Sequence, residues 1–556
     1  MIHIAQNTST LFDLRSSLRR LTKPFSKHYF TMRPSWLITL QGLAALSSIG
    51  TMLPQRVDGL AGTKNRYRPP NRPVGNHRDR NTDGNKPGSN RSESVEKNSR
   101  QSSMLARAFR IMYDQGGTIG VLNGCRDTLL DYDAQVLVEA AIQAGNTADG
   151  KKKFRSRGVS SGILNALLGC CCSFSEETDK NSSARANMAI QLMQAYDDYG
   201  QREHDEVALE PDLVSLCLAY VAISGINSGE KLGDAHNQSS IADEFLRRAE
   251  QFYHKEPSRT LQHDKAKSAI EKPKIDWKIF EEKYGIQVLQ DAEEFIILSK
   301  PSGMVCYHGG GGNRKGNTNH GKGNSKNSKH IDIQRRRKKQ IVKNEKDQSL
   351  EECLLAYGVP LSRLNQEGRG LVHRIDRGTS GCLVVAKTNR MHAFLLSQFF
   401  LRRAKKFYTA LVCSSKEKLT KNRDGKISVP IDGRPSNSEF VLETSVGKHL
   451  SRIKVETQQG RRHQVRIHCS EGLNAPILLD PLYGGQSILS KLLGSNNSTT
   501  DEKKGDKGAH KLLNEARDDQ KFCLHASSLT IEAIGIDVRA PLPEWWQEIE
   551  AALLVS

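Results

Sequence analysis

The chain has 556 residues, of which 37% are hydrophobic and 26% charged, with a formal net charge of +20. That length exceeds one ordinary domain, and the low apolar share excludes a single continuous core, since long stretches of Gly, Asn, Ser, Lys and Arg cannot bury enough surface to fold. The positive charge suits a polyanionic partner, nucleic acid foremost, and equally suits basic tails that only aid solubility or targeting.

Residues 1–54 read as a targeting segment. Residues 1–33 hold a single acidic residue, Asp13, against Arg15, Arg19, Arg20, Lys23, Lys27 and Arg33, with Leu11, Leu14, Leu18 and Leu21 at helical spacing, which is transit-peptide character. The stretch Trp36 to Leu53 is broken by Gln41, Gly42, Ser47, Ser48 and Gly50 and is a poor membrane span; it would serve as a signal-peptide core if translation began at Met32. No stable membrane association is expected. Residues 55–103, with Pro69, Pro70 and Pro73, read as a disordered linker.

From 104 to 255 apolar residues recur three and four apart, as in Val136, Leu137 and Ala140 or Ile190, Met193 and Tyr196, which predicts an α-helical accessory domain. Met188 to Gly200, the helix opened by Pro211-Asp212 and the helix Ala242 to Phe252 together resemble a pentatricopeptide-type array, against the plainer alternative of a packed helical domain. The eleven cysteines form no CxxC pair, and Cys170-Cys171-Cys172 are consecutive, so the sequence implies reduced, mostly buried thiols and no metal site.

From Trp277 strands and helices alternate. Phe295 to Leu298 reads as a strand before the turn Lys300-Pro301-Ser302-Gly303-Met304. Strands follow at Gly381 to Ala386, Tyr408 to Val412, Glu439 to Glu443 and Arg452 to Thr457, with helices at Glu351 to Tyr357 and Met391 to Arg403. Leu524 to Ile531 and Ile534 to Val538 read as a closing hairpin, followed by a short helix containing Trp545. Polar inserts at 309–348, with the basic run Arg335 to Lys339, and at 486–520 interrupt this region, which is predicted as one α+β catalytic domain over 277–556.

The chemistry concentrates in His373-Arg374-Ile375-Asp376-Arg377-Gly378-Thr379-Ser380-Gly381. One carboxylate stands between two arginines, which favour its ionised form, and a Gly-containing turn can hold it at the lip of a cleft. A structural ion pair at a strand end would show the same residue types.

The segment closely resembles the signature of the RluA-type pseudouridine synthases, His-Arg-Leu-Asp-Arg, one variable residue, then Thr-Ser-Gly, with Ile375 in place of Leu. Further matches follow in the family's order: Lys300 to Met304, Lys406 to Val412, Gly460-Arg461-Arg462-His463-Gln464-Val465-Arg466-Ile467-His468, and Leu524-His525-Ala526. The resemblance covers residues 285–546 less the inserts. It implies a mixed, mainly antiparallel sheet with a central RNA-binding cleft, and isomerisation of a uridine in RNA without a cofactor. By the same resemblance Asp376 is the catalytic carboxylate, Arg466 pairs with it, and Tyr408 stacks on the flipped base. His373, Arg374, Arg377, His463, Gln464 and Leu524 bind substrate, Leu524 as the apolar residue beneath the base. Taken singly, Tyr408 could be a core aromatic and Arg466 and His463 mere phosphate binders.

The pattern departs from the family at Pro476-Ile477-Leu478-Leu479-Asp480, which lacks the family's Gly before Asp, and in having no S4-type domain, whose place in holding substrate the helical region would take. The expected partner is ribosomal or transfer RNA and the expected state a monomer. The N-terminus points to a mitochondrion or plastid, while the basic inserts would suit nucleus or cytoplasm. The competing readings are an RNA-binding assembly factor that keeps the fold without catalysis and, less well supported, a carboxylate hydrolase, which would ordinarily need two carboxylates.

Overall fold

A computed structural model describes residues 89–145, 153–172, 181–202, 211–225, 236–253, 275–308, 348–420, 425–447, 449–457, 459–488 and 503–555. The expected targeting segment, most of the linker and the basic run at 335–339 lie outside them.

Helices come first: α1 Ser89–Cys125, α2 Ala134–Gly145, α3 Lys153–Cys171, α4 Ser182–Arg202, α5 Leu213–Ser224 and α6 His236–Gln251. The first begins inside the span expected to be linker, because composition had hidden its propensity. Gly117 (φ 62°, ψ −151°) breaks it, and the chain folds back so closely that a Cβ at Gly120 would lie 2.3 Å from the Met112 carbonyl oxygen. Asp212 caps α5 through Ser215 N (2.8 Å) while also accepting from Asn165 of α3. One carboxylate thus starts a helix and ties two together. All three consecutive cysteines are buried here; the Cys170 thiol donates to Leu122 O and the Cys171 thiol to Leu167 O, and burial pushes them up.

The second part contains α7 Trp277–Tyr284, α8 Leu350–Ala356, α9 Asn389–Phe400, the short α10 Lys416–Leu419 and α11 Gln464–Ile467, α12 Lys503–Asp518 and α13 Glu544–Val555. Among the described residues its strands are β1 Gln287–Asp291, β2 Phe295–Lys300, β3 Ser380–Ala386, β4 Lys405–Val412, β5 Lys426–Ile427, β6 Ser438–Val446, β7 Leu450–Thr457, β8 Leu524–Ile531 and β9 Ile536–Arg539. They form one sheet in the order β1-β2-β3-β8-β4-β7-β6-β5, with β9 paired to β8. Every pairing is antiparallel except β3 with β8. The fold is α+β with a mixed, mainly antiparallel sheet.

Position in the sheet explains the side chains. Strand β3 is buried along its whole length, as its continuous apolar run requires, whereas β7 alternates. One core gathers Leu350, Leu354, Leu383 and Val385; the other gathers Leu411, Ile453, Leu513, Phe522 and Trp546 around the second half of the sheet. Helix α12 corrects the expectation of an unstructured 486–520 insert. Its Ala509, Leu513 and Ala516 are buried at helical spacing and it packs on α13, so a narrow apolar stripe outweighs the polar composition. On the other side, α5 and α6 pack on α9, with Asn389 donating to Glu250 Oε1 at 2.8 Å.

Candidate active site

The loop carrying Asp376 is fixed from three sides. Lys300, wholly buried at the end of β2, donates through Nζ to the carbonyls of Pro301 (2.8 Å), Met304 (2.8 Å) and Arg377 (3.2 Å). Gly303 N adds a bond to Arg377 O at 2.8 Å. The Lys-Pro-Ser-Gly-Met turn is therefore a clamp on the loop that carries Asp376. Thr379 N closes the turn onto Asp376 O at 3.1 Å.

The Thr-Ser-Gly end of the motif is read by the Leu-His-Ala strand. In the parallel β3–β8 pair Ser380 lies opposite His525 and Gly381 opposite Ala526. The Ser380 hydroxyl bonds His525 Nδ1 at 2.9 Å, while His525 Nε2 reaches Ala540 O at 3.2 Å. An Nε2–H donor and an Nδ1 acceptor satisfy both contacts, so the imidazole is neutral, as its burial dictates. Gly381 (φ 109°) is obligatory, because a Cβ there would lie 2.2 Å from Ala526 O.

Asp376 lines a cavity of about 270 Å³ between β4, the end of β7 and the loop after it. Arg466, 4% exposed, donates to Asp376 Oδ2 through Nη1 (3.1 Å) and is itself held by Asp480, which accepts from Nε and Nη2, both at 2.8 Å. Asp480 is fully buried and also takes Leu482 N at 2.9 Å. Despite burial, the two carboxylates hold the guanidinium above its ordinary value. The Phe522 ring lies 4.5 Å beneath it and the Tyr483 ring 5.1 Å away. Arg466 thus presents a single oriented N–H donor to Asp376, its other two nitrogens being held by Asp480.

His463, in a left-handed conformation (φ 58°), bonds Tyr483 Oη at 2.9 Å and brings Nε2 to 3.7 Å from Asp376 Oδ1. Burial lowers its basicity against the pull of Asp376. Tyr408, on β4, faces the cavity; burial and then the charge of Asp376 push its hydroxyl well above the usual phenol range. Leu524 supplies a buried apolar wall.

The residues expected at the site divide. Asp376, Tyr408, Arg466, His373, Arg374, His463, Gln464 and Leu524 all line the cavity, and Arg377 does not; its carbonyl is what the loop clamp uses. At His373 the Nε2 accepts from Val384 N (3.1 Å), the ring stacks on Phe399 at 4.5 Å, and burial takes it down to about 3. It is a neutral strut. Gln464 also holds the loop, its Nε2 donating to Asn437 O (2.8 Å) and its Oε1 accepting from Arg461 N (3.0 Å). Sequence reasoning did not assign Asp480 or Tyr483. Asp480, retained beside the altered family position, was the available signal. The missing Gly there is replaced by Leu479, which adopts φ 67° itself.

A family model described as RNA pseudouridylate synthase matches residues 294–471. Over 199 residues the chain is 30% identical to an uncharacterized RNA pseudouridine synthase of Zymomonas mobilis, covering 32% of this chain and 75% of that protein. Over 282 residues it is 27% identical to ribosomal large subunit pseudouridine synthase D of Xanthomonas campestris, covering 48% and 69%. To the chloroplastic RNA pseudouridine synthase 2 of Oryza sativa it is 35% identical over 141 residues, spanning 22% of this chain and only 31% of the rice protein. The chain belongs to the RNA pseudouridine synthase family, and its reaction class is isomerisation of uridine within RNA. The helices before Trp277 lie outside the matched residues, and their pentatricopeptide-type likeness is not supported.

Proposed function

We propose that Asp376 is the catalytic carboxylate of this synthase and that its substrate is a uridine in ribosomal or transfer RNA, modified without a cofactor. The observation that carries the reading is the Asp376–Arg466 contact at 3.1 Å inside a cavity shared with Tyr408 and Leu524. In the reaction the N1–C1′ bond breaks, the base turns while held, and C5 bonds to C1′; the C5 proton leaves and N1 gains one, so the product is an isomer. Asp376 either attacks C1′ and is displaced by C5, or removes a ribose proton to give a glycal that is reprotonated. Arg466 holds the carboxylate in place through its Nη1 bond to Oδ2. Tyr408 stacks on the extruded base, whose unstacking costs roughly a few kcal/mol, and Leu524 supports it from the opposite side. A non-catalytic assembly factor has no use for this oriented carboxylate.

The large-subunit name of one relative favours ribosomal RNA as substrate, and the chloroplastic name of another, with the basic N-terminus, favours an organelle, plastid or mitochondrion. The protein acts as a monomer, with the helical region helping to hold RNA.

The test is site-resolved pseudouridine mapping of total RNA from cells expressing the intact protein or Asp376→Ala at matched levels. Sites found only with the intact protein are the expected result and identify the substrate. Identical maps would transfer the case to the assembly-factor reading.

A further inference from the structure

Opposite Asp376 the cavity has a second polar corner. Strands β4 and β7 pair with Phe407 against Glu456, so the next pair outward, Lys406 and Thr457, shares a face. It is also the face of Tyr408, two residues along β4. Lys406, Thr457 and Arg461 all line the cavity.

Each of the three has donors to spare. Lys406 makes no hydrogen bond or ion pair among the described residues; its ammonium lies 5.6 Å from the centre of the Phe399 ring. Thr457 is 2% exposed, and its hydroxyl has no hydrogen-bond partner among the described residues. Arg461 donates Nε and Nη2 to Pro435 O at 3.1 and 2.9 Å, which fixes the guanidinium plane. Gly460 (φ 64°) carries the backbone so close that a Cβ would lie 2.7 Å from Lys406 Nζ. The charged and titratable neighbours are Arg402 and the neutral His373; burial first and Arg402 second bring Lys406 down to about 8. The corner suits an anion, because the buried Thr457 hydroxyl has no partner among the described residues and the half-buried Lys406 ammonium faces the cavity beside it.

We infer that Lys406, Thr457 and Arg461 form an oxyanion subsite that takes a backbone phosphate adjacent to the extruded uridine. A phosphate offers only acceptors and carries the negative counter-charge that the Lys406 ammonium does not have among the described residues. A uracil edge, which alternates acceptors with an N–H donor and is neutral, matches three donors less well. The inference rests on the reading of the chain as an RNA-modifying enzyme. It makes Lys406 and Thr457 positioning residues that set where the ribose lies relative to Asp376.

The test uses the full chain and a short single-stranded oligouridylate, with affinity measured across a salt series. Binding does not depend on turnover, so Asp376→Asn should bind like wild type even where pseudouridine formation is lost. This keeps failure of the subsite separate from failure of the catalytic assignment. Losing one phosphate contact should flatten the slope of log affinity against log salt by about 0.7, so Lys406→Met is expected to bind roughly tenfold more weakly with that flatter slope. Lys406→Arg should restore both. Thr457→Val should weaken binding with less change of slope. Lys454→Met is the control, because Lys454 lies 4.4 Å from the Phe407 ring on the opposite face of the sheet, and it should match wild type. A probe with neutral methylphosphonate linkages should bind wild type and Lys406→Met equally. The proposal is overturned if wild type does not bind the oligouridylate, if Lys406→Met keeps the wild-type slope, if Lys454→Met behaves like it, or if the neutral probe still distinguishes Lys406→Met from wild type.

Discussion

Asp480 and Asp376 share one arginine but stand in different surroundings. Asp480 is wholly buried and makes both ends of a fork with Arg466, whereas Asp376 is 27% exposed and takes a single bond. Removing one partner of a buried pair leaves the other charge stranded, at about 3–5 kcal/mol. Asp480→Asn is therefore expected to lower the denaturant midpoint severely, while Asp376→Asn leaves it within about 1 kcal/mol of wild type. Equal destabilisation by the two would refute this division of labour. The neighbouring Leu479 shows how a family glycine can be dispensed with: a left-handed leucine costs about 1 kcal/mol, but its side chain is fully buried, and burial of a leucine is worth about 2 kcal/mol.

At the scale of elements, helix α9 joins the helical region to the cavity. Its outer side meets α5 and α6, and Phe399 near its end stacks on His373 inside. Gly169 of α3 sits where a Cβ would come within 3.2 Å of Phe400 and Leu401. Gly169→Val is expected to cost about 1–3 kcal/mol by overpacking and, by shifting α9, to slow pseudouridine formation at temperatures where the variant is still folded. A lower melting temperature with an unchanged rate would reduce the helical region to a stabilising role. Elements were legible in the sequence where periodicity and composition agree, as in β2, β3, β7 and α9. The start of α1 and the whole of α12 were not, because Gly, Ser and Lys dominate and only a few residues such as Leu513 face inward. At the site, the motif residues were legible but their partners were not: Asp480 and Tyr483 act on Asp376 only through Arg466 and His463, a relation that spacing along the chain does not carry.

Across the whole molecule, neutral histidines recur in the interior. Burial holds His373 down to about 3 and His392 and His525 down to about 4, against about 6.5 in an unfolded chain. Below that value the unfolded state binds more protons than the folded one, so stability is intact above about pH 6.5 and is lost as pH falls toward 4. The denaturant midpoint should drop steeply between those limits, and His525→Gln should shallow the slope; a flat profile would contradict it. The sheet order has a consequence in time. Strand β8 lies between β3 and β4 yet is synthesised after both and brings Leu524 to the cavity wall. Until the ribosome has passed it, β3 and β4 face each other across an empty lane, two unprotected edges that invite mispairing. A nascent chain can therefore display Asp376 and Arg461 without owning a competent cavity, and activity begins only when β8 has threaded the middle of the sheet.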